Sequence, residues 1–539
     1  MIYQLIVKNT PGPVKRLGKQ ILALPPVKKL TLHIGKLRLS PIEKKFVEHN
    51  KKIWKPYINN EPTSEVIIDT FMVPDALISY SYFANVLAKK NNATIKSFLC
   101  NNTFIPPKFD LFYKSFNVKK TIMVRPNRSQ KKVIKNYYKK IKSGLKTKQD
   151  VFDIEIEGCH IGLDIYESYL RDFNKYTLNF DSNLDYIIKS AITLFVFWND
   201  YFKSKKIAAY LASHEQYIWI NIVCRVAYKY NIPVYYPNSR GVVYATKPFS
   251  VYSHFHDYPI IFKAISVEDQ EKGLKIAESN LQKRFSGALG VNNYHSTASS
   301  FGEKSKIRVL KESQKVKVLI ATHCFYDNPH AYQRIPFLDF YEWLIFVGNV
   351  SKETDYEWYI KVHPDPLPGT EEIIEDLIKK FPHWKLINYS VSHHQIIEEG
   401  IDCVLTVHGT IGEEYPYFDV PVINAGYNPR IAYDFNYHAK NKEDYRNLIL
   451  KIPQLKKEYN KKSIYEFYFV NHYLNWVDDI IFDSYKDLLS QLNGKELMSE
   501  ELYEYFLNQF SDAQHEKKVE SIDNFINSKK RRLLSFGPF

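Results

Sequence analysis

Trp358-Tyr-Ile-Lys-Val362, then Glu371 to Phe381, then Trp384-Lys-Leu-Ile387 read in turn as a strand, a helix and a strand. A strand–helix–strand unit of this length implies two parallel neighbours in one sheet. The same rhythm extends on both sides. Val316-Lys-Val-Leu-Ile-Ala-Thr322 reads as a strand, and Tyr332 to Val347 as a helix interrupted at Pro336. Val391 to Glu399 is a short helix and Ile401-Asp-Cys-Val-Leu-Thr-Val407 a strand. Thr410 to Tyr417 starts a helix, Pro421-Val-Ile-Asn424 is a strand, and Glu443 to Leu450 a helix. Five strands, each followed by a helix or helical turn, make a doubly wound Rossmann-like sheet.

A second alternation lies upstream. Glu65 to Phe71 and Ala93 to Leu99 read as strands around the helical spacing of Ala76 to Lys90. Val133 to Leu145 and Leu178 to Phe202 read as helices, Lys206 to Ala212 as a strand, Tyr217 to Tyr230 as a helix and Ile232 to Tyr236 as a strand. The fold class is therefore α/β with two Rossmann-like domains. Residues 61–310 form the first domain, with Leu274 to Phe285 helical and Ser286 to Lys306 a linker; residues 311–455 form the second. Residues 456–539 are a helical segment expected to pack back across the junction, and residues 1–60, rich in proline, a basic arm or subdomain.

The net charge of +15 is concentrated: residues 1–55 hold 13 Lys and Arg against Glu43 and Glu48. A further cluster, Lys529 to Arg532, precedes Leu533-Leu-Ser-Phe536. Basic residues beside apolar ones suit an anionic membrane surface, although a solvated face carries the same pattern. Nucleic acid, which charge alone also suits, is not the expected partner. The five cysteines are scattered, with no CxxC pair, which argues against a disulfide framework or a zinc site and fits a reducing compartment. The start is too short an apolar run for a signal peptide, and no 18-residue apolar stretch occurs. The expected location is cytoplasmic, peripheral on the inner face of the membrane.

In open parallel sheets ligands bind at the carboxyl ends of strands. Three such ends in the second domain carry histidine: His323 after Thr322, His363 before Pro364, and His408 before Gly409-Thr410. Strand alternation puts Lys361 and His363 on one face, and Pro364 restricts the backbone of His363. A lysine and a histidine aimed together can neutralise a pyrophosphate or protonate a leaving phosphate. Gly409 allows close approach of backbone to a ligand. Thr410 reads as an N-cap with Glu413 as capping-box partner, and free amides at that helix start can hold a phosphate. Glu414 could accept from ribose hydroxyls, or be an ordinary first-turn acid. Neither a GxGxxG nor a GxxxxGK[ST] is present, so hydride-transfer and P-loop chemistry lose their usual signals. In the first domain, Asp164 in the run Ile161 to Arg171, and His214 and Glu215 after a strand, are candidates for a general base on an acceptor hydroxyl; caps and buried hydrogen bonds are the plainer reading of each.

Lys361-Val-His-Pro364 resembles the K-x-H-P motif of capsule polysaccharide synthesis proteins, which include Kdo transferases. Related HP motifs occur in bacterial sialyltransferases and in CDP-glycerol glycerophosphotransferases. His408-Gly-Thr-Ile-Gly-Glu-Glu414, continuing to Pro429, looks like the donor-binding end of such enzymes, and Ile161 to Arg171 is also similar to them. The resemblance implies a GT-B fold, in which two Rossmann-like domains face a central cleft, with donor nucleotide on the second domain and acceptor on the first. It gives His363 and Thr410 the contacts to donor phosphate. It implies no tightly bound metal or other cofactor, only a nucleotide-sugar co-substrate, with CMP-Kdo or another CMP- or UDP-sugar first in line. The expected function is glycosyl transfer to a capsule, O-antigen or other surface glycan or its glycolipid primer. Alternatives are a CDP-alditol phosphotransferase, a sugar-nucleotide epimerase, or a non-catalytic capsule-assembly scaffold. No family general base maps onto a single position.

Overall fold

The computed structural model describes residues 39–99, 107–238, 241–248, 253–288, 299–332, 335–363, 369–474, 481 and 499–530. Most of the basic arm, Pro364 and residues 531–536 lie outside them. In chain order the first unit supplies β1 (Ser64–Asp69), β2 (Ala93–Phe98), β3 (Val118–Ile122), the small hairpin β4 (Glu155–Ile156) and β5 (Cys159–His160), then β6 (Ile207–Leu211), β7 (Val234–Asn238) and β8 (Gly241–Ala245). The second supplies β9 (Lys317–Ala321), β10 (Glu357–Lys361), β11 (Trp384–Ile387), β12 (Cys403–Thr406), β13 (Val422–Asn424) and β14 (Tyr437–His438).

The two six-stranded sheets run β3-β2-β1-β6-β7-β8 and β11-β10-β9-β12-β13-β14. Counted within each sheet, both follow the Rossmann order 3-2-1-4-5-6. The second sheet is parallel throughout, whereas β8 turns back antiparallel on β7. The central strands β1 and β10 are buried at every position, which is why they read as unbroken apolar runs rather than as alternation. The molecule is thus the expected α/β pair of Rossmann-like units, the GT-B class of fold.

Helix ends follow local chemistry. Pro74–Lys90 begins on proline with Asp75 in its first turn and ends on Lys89 and Lys90, matching the helix dipole. The helix expected from Tyr332 instead starts at Phe340 and runs to Ser351. Pro336 cannot donate within a helix, and Asp339 caps the later start, accepting from the Glu342 amide at 2.7 Å.

Asp339 also joins the two units. Its other carboxylate oxygen accepts from Tyr166 (2.6 Å) and Thr177 (2.7 Å) of the first unit. His330 N–H donates to Glu167 at 2.9 Å, and Tyr217 donates to Asp327 at 2.9 Å. The Ile161 to Arg171 run therefore lies in a junction helix, Gly162–Phe173. A Cβ on Gly162 would fall 2.2 Å from the Phe152 carbonyl oxygen, so only glycine lets that helix seat. One buried apolar cluster continues from the first sheet into the second across this junction.

The C-terminal segment packs on both units. Lys461–His472 lies against Tyr258–Ala264 and Val267–Phe285, closing a third apolar cluster. Glu501–Asn508 and Asp512–Ser528 return to the first unit, where Tyr503 stacks on Phe46 at 4.4 Å. Among the described residues no helix is long and apolar enough to cross a membrane.

Candidate functional site

The ends of β10, β9 and β12, neighbours in the second sheet, open into a cavity of about 290 Å³. Its wall includes His323, Lys361, His363, His408, Gly409, Thr410 and Glu414. Strand-end positions up to 87 residues apart in sequence thus meet at one hollow, as the sheet topology requires. That volume lies at the small end of ligand pockets, about 300–1,000 Å³, and suits a phosphate-bearing part of a ligand rather than a whole nucleotide sugar.

Lys361 is 3% exposed, and its ammonium donates to the Tyr389 carbonyl at 2.8 Å. No carboxylate pairs with it among the described residues, and burial lowers its pKa to about 8, Glu414 pulling the other way. A buried cation without an ionic partner favours an anionic ligand. His363 sits exposed on the same wall.

His323 and His408 are held differently. His323 Nε2 lies 2.9 Å from Thr406 Oγ1 and accepts from the Val407 amide at 3.2 Å. That acceptor role puts its proton on Nδ1 and ties β9 to β12, so His323 shapes the wall through the strand end. Its ring stacks on Phe340 at 4.8 Å and lies 4.7 Å from His408. Burial pushes both histidines down, His408 to about 4, so both rings are neutral at physiological pH. A Cβ on Gly409 would approach Thr406 Oγ1 at 3.1 Å and the His323 ring at 3.3 Å.

The structure corrects three expectations at the turn after β12. Thr410 has helical φ and ψ, and its side chain makes no cap. Glu413 instead pairs with Arg430 at 3.0 Å, while Arg430 also donates to the His408 and Gly409 carbonyls. This guanidinium, 20 residues downstream of Thr410, outcompetes the local capping box. The helix Ile411–Glu414 is one turn long, and the amides of Gly412, Glu413 and Glu414 already donate to Gly409 and Thr410 carbonyls. It therefore offers little of a helix's amide end to a phosphate. Glu414, for which ribose contact and an ordinary first-turn role both stood open, accepts from Arg284 at 3.0 Å in a buried ion pair.

Arg284, Ser300 and His393 also line the cavity, and sequence reasoning missed all three. Arg284 lies in the last turn of the helix Val267–Phe285, and its Nη1 is buried with no hydrogen-bond partner among the described residues. His393 Nδ1 lies 2.7 Å from the Tyr415 hydroxyl, and its backbone N–H donates to the Ser300 carbonyl at 2.9 Å. Burial, with Lys361 and Arg284 nearby, keeps its ring neutral.

The first-domain candidates lie elsewhere, around the carboxyl end of β6 and the junction helix. Asp164 is 1% exposed, accepting from Asn221 at 2.7 Å and pairing with Arg225 through two nitrogens. Glu215 is buried and accepts from Tyr228. A carboxylate engaged this way holds the core together, so the general-base expectation does not suit Asp164 or Glu215 as placed. His214 is half-buried, with Nδ1 2.8 Å from Ser213 Oγ.

No family model matches the chain, and no curated protein matches it. Solved structures to which it is similar include KpsC of Thermosulfurimonas dismutans, a beta Kdo 2,4 transferase. That match has 13% identity and a TM-score of 0.30 and covers 50% of this chain and 80% of that one. A glycosyltransferase of Rickettsia africae ESF-5 matches at 11% identity and a TM-score of 0.23, over 84% of this chain and 100% of that one. UDP-GlcNAc 2-epimerase of Neisseria meningitidis, bound to UDP-GlcNAc, matches at 12% identity and a TM-score of 0.20, over 80% and 100%.

Proposed function

We propose that this protein transfers a glycosyl group from a nucleotide sugar to a bacterial surface glycan or its lipid-linked primer. The observation that carries the reading is the buried ammonium of Lys361, with no salt-bridge partner among the described residues, in a cavity shared with His363, Thr410 and Arg284. Lys361 and Arg284 supply positive charge where a leaving nucleotide phosphate gathers negative charge, which lowers the barrier most in a site that excludes water. His363, at the exposed wall, donates to the same phosphate, and the Thr410 hydroxyl adds a neutral donor. Glu414 and Glu413 hold Arg284 and Arg430 in place. A cytidine donor such as CMP-Kdo is the first to test, on the sequence resemblance alone.

The basic arm keeps the enzyme near a membrane-bound acceptor. Lys44, Lys45, Lys51 and Lys52 project from the helix Pro41–Ile53, and Lys529 and Lys530 are exposed at the other end of the chain. The test is a melting-temperature screen against CMP, CDP, UDP and GDP, followed by nucleotide release from the matching sugar donors. Release that requires an added glycan acceptor supports transfer. No shift with any nucleotide, or an unchanged shift in Lys361→Met, refutes the donor site.

A further inference from the structure

The carboxyl ends of β1 and β6 are neighbours in the first sheet. Asp69 ends β1 and is fully buried. Its Oδ1 accepts from the Tyr80 hydroxyl at 2.7 Å, and its Oδ2 from both the amide and the hydroxyl of Ser213, each at 2.7 Å. Ser213 Oγ lies 2.8 Å from His214 Nδ1. Both oxygens of Asp69 accept, from three donors in all, which is the pattern of a carboxylate that only accepts; burial raises its pKa to about 6.

That fixes the proton positions along the chain. A serine hydroxyl has one proton, and the carboxylate takes it. Ser213 Oγ can then offer His214 only a lone pair, so Nδ1 of the ring must carry the hydrogen. Nε2 is left as the basic nitrogen of a neutral imidazole, burial holding the ring's pKa near 4.

The surroundings mark this edge as more than core. Tyr217, three residues on, has φ +62°, a left-handed conformation that strains a tyrosine backbone. It opens a π-helical turn, Tyr217–Asn221, a form frequent at functional sites. Its hydroxyl reaches Asp327, in the loop that follows His323 of the cavity wall. His214 lies beside it, with ring centres 6.2 Å apart. The histidine therefore stands at the junction where the second unit's β9 loop meets the first sheet.

We infer that Asp69, Ser213 and His214 form a relay that makes His214 Nε2 the general base for an acceptor hydroxyl. This rests on the donor site proposed above. The acceptor O–H gives its proton to Nε2 as its oxygen bonds to the anomeric carbon. The bond from that carbon to the nucleotide phosphate breaks, and its electron pair leaves with the phosphate toward Lys361. The imidazolium so formed is held by Nδ1–H to Ser213 and by Ser213 to Asp69. His214 is the catalytic residue; Ser213 and Asp69 are positioning residues. A base acting on the acceptor in a single displacement inverts the anomeric centre.

The test has two readouts on the full chain. Nitrogen-15 spectra of histidine-labelled protein near pH 7.5, with His214 assigned through His214→Gln, report the tautomer without any substrate. The expected result is hydrogen on Nδ1 and a bare Nε2, with the Nε2–H form appearing in Ser213→Ala. A wild-type ring protonated on Nε2 overturns the relay. Where a donor and acceptor are in hand, His214→Gln should lower kcat by about 10²–10⁴-fold with the nucleotide melting shift retained. Ser213→Ala, and Asp69→Asn where it folds, should lower kcat by about tenfold or more, with KM little changed. An unchanged kcat in His214→Gln, or retention at the anomeric carbon, also overturns it. Absence of any nucleotide shift in the wild type sinks the donor site instead, and the tautomer still decides the relay.

Discussion

The two sheets share one strand order yet end in opposite chemistry. The edge of the second gathers Lys361, Arg284 and four histidines around a hollow, with its buried glutamates tied to arginines. The edge of the first gathers carboxylates, Asp69, Asp164 and Glu215, each engaged by hydrogen-bond donors. A Rossmann topology fixes where a ligand can sit but not the sign of what it meets. Here one edge presents buried cations and the other buried carboxylates.

The largest effect that would test this contrast lies in the first unit. Arg225→Met leaves Asp164 charged and unpaired in the core, and should cost about 3–5 kcal/mol of stability by urea melting. Nucleotide binding per folded molecule should be unchanged. A loss of binding equal to that of the cavity variants would erase the distinction between the two edges.

Next comes Lys361→Met, which should weaken nucleotide binding by about 1.5–3 kcal/mol in calorimetry, the worth of a charged hydrogen bond. The apo protein should melt no lower than wild type, because a buried ammonium with no ionic partner among the described residues is replaced by an apolar chain of similar size. Weaker binding with undiminished stability separates a ligand-binding group from a structural one.

The pH dependence sharpens the same point. Lys361 loses its proton near pH 8 when folded and near 10.5 when unfolded. Between those values the unfolded chain binds more protons, so this group makes the apo protein more stable as pH rises. Nucleotide affinity should move the other way, falling up to about tenfold per unit above pH 8 as the charge disappears. Titration at pH 7, 8 and 9 checks both signs. A flat affinity would mean that the phosphate meets a different cation.

The smallest expected effect is at Gly409. Gly409→Ala places a methyl group 3.1 Å from Thr406 Oγ1 and 3.3 Å from His323, and should cost about 1 kcal/mol with a few-fold loss of nucleotide affinity. A neutral result by melting and calorimetry would show that the turn after β12 can relax.

Much of the architecture was legible because buried parallel strands are continuous apolar runs. Trp384–Ile387 matches the expected strand, and β10, Glu357–Lys361, lies one residue ahead of the expected 358–362. The strands that escaped are short or polar: Val118-Lys-Lys-Thr-Ile122 has a polar middle, β8 pairs antiparallel on β7, and Tyr437–His438 pairs over two residues. At the site, strand-end histidines were legible because topology alone delivers them to one edge. Arg284 and His393 were not, since each reaches the cavity from a helix whose packing no local pattern records. Thr410 and Glu413 have the right spacing for a capping box, but spacing cannot reveal that Arg430 takes the glutamate. Asp164, a carboxylate near a glycine in a polar run, could be read as a base or as a buried hydrogen-bond partner; it is paired with the buried Arg225.

The most direct measurement is a crystal structure with whichever of CMP, CDP, UDP or GDP raises the melting temperature most. A phosphate oxygen should lie within hydrogen-bonding distance of Lys361 Nζ, in the hollow between the ends of β10 and β12. A nucleotide seated on the first unit, or with its phosphates turned away from Lys361, would contradict it.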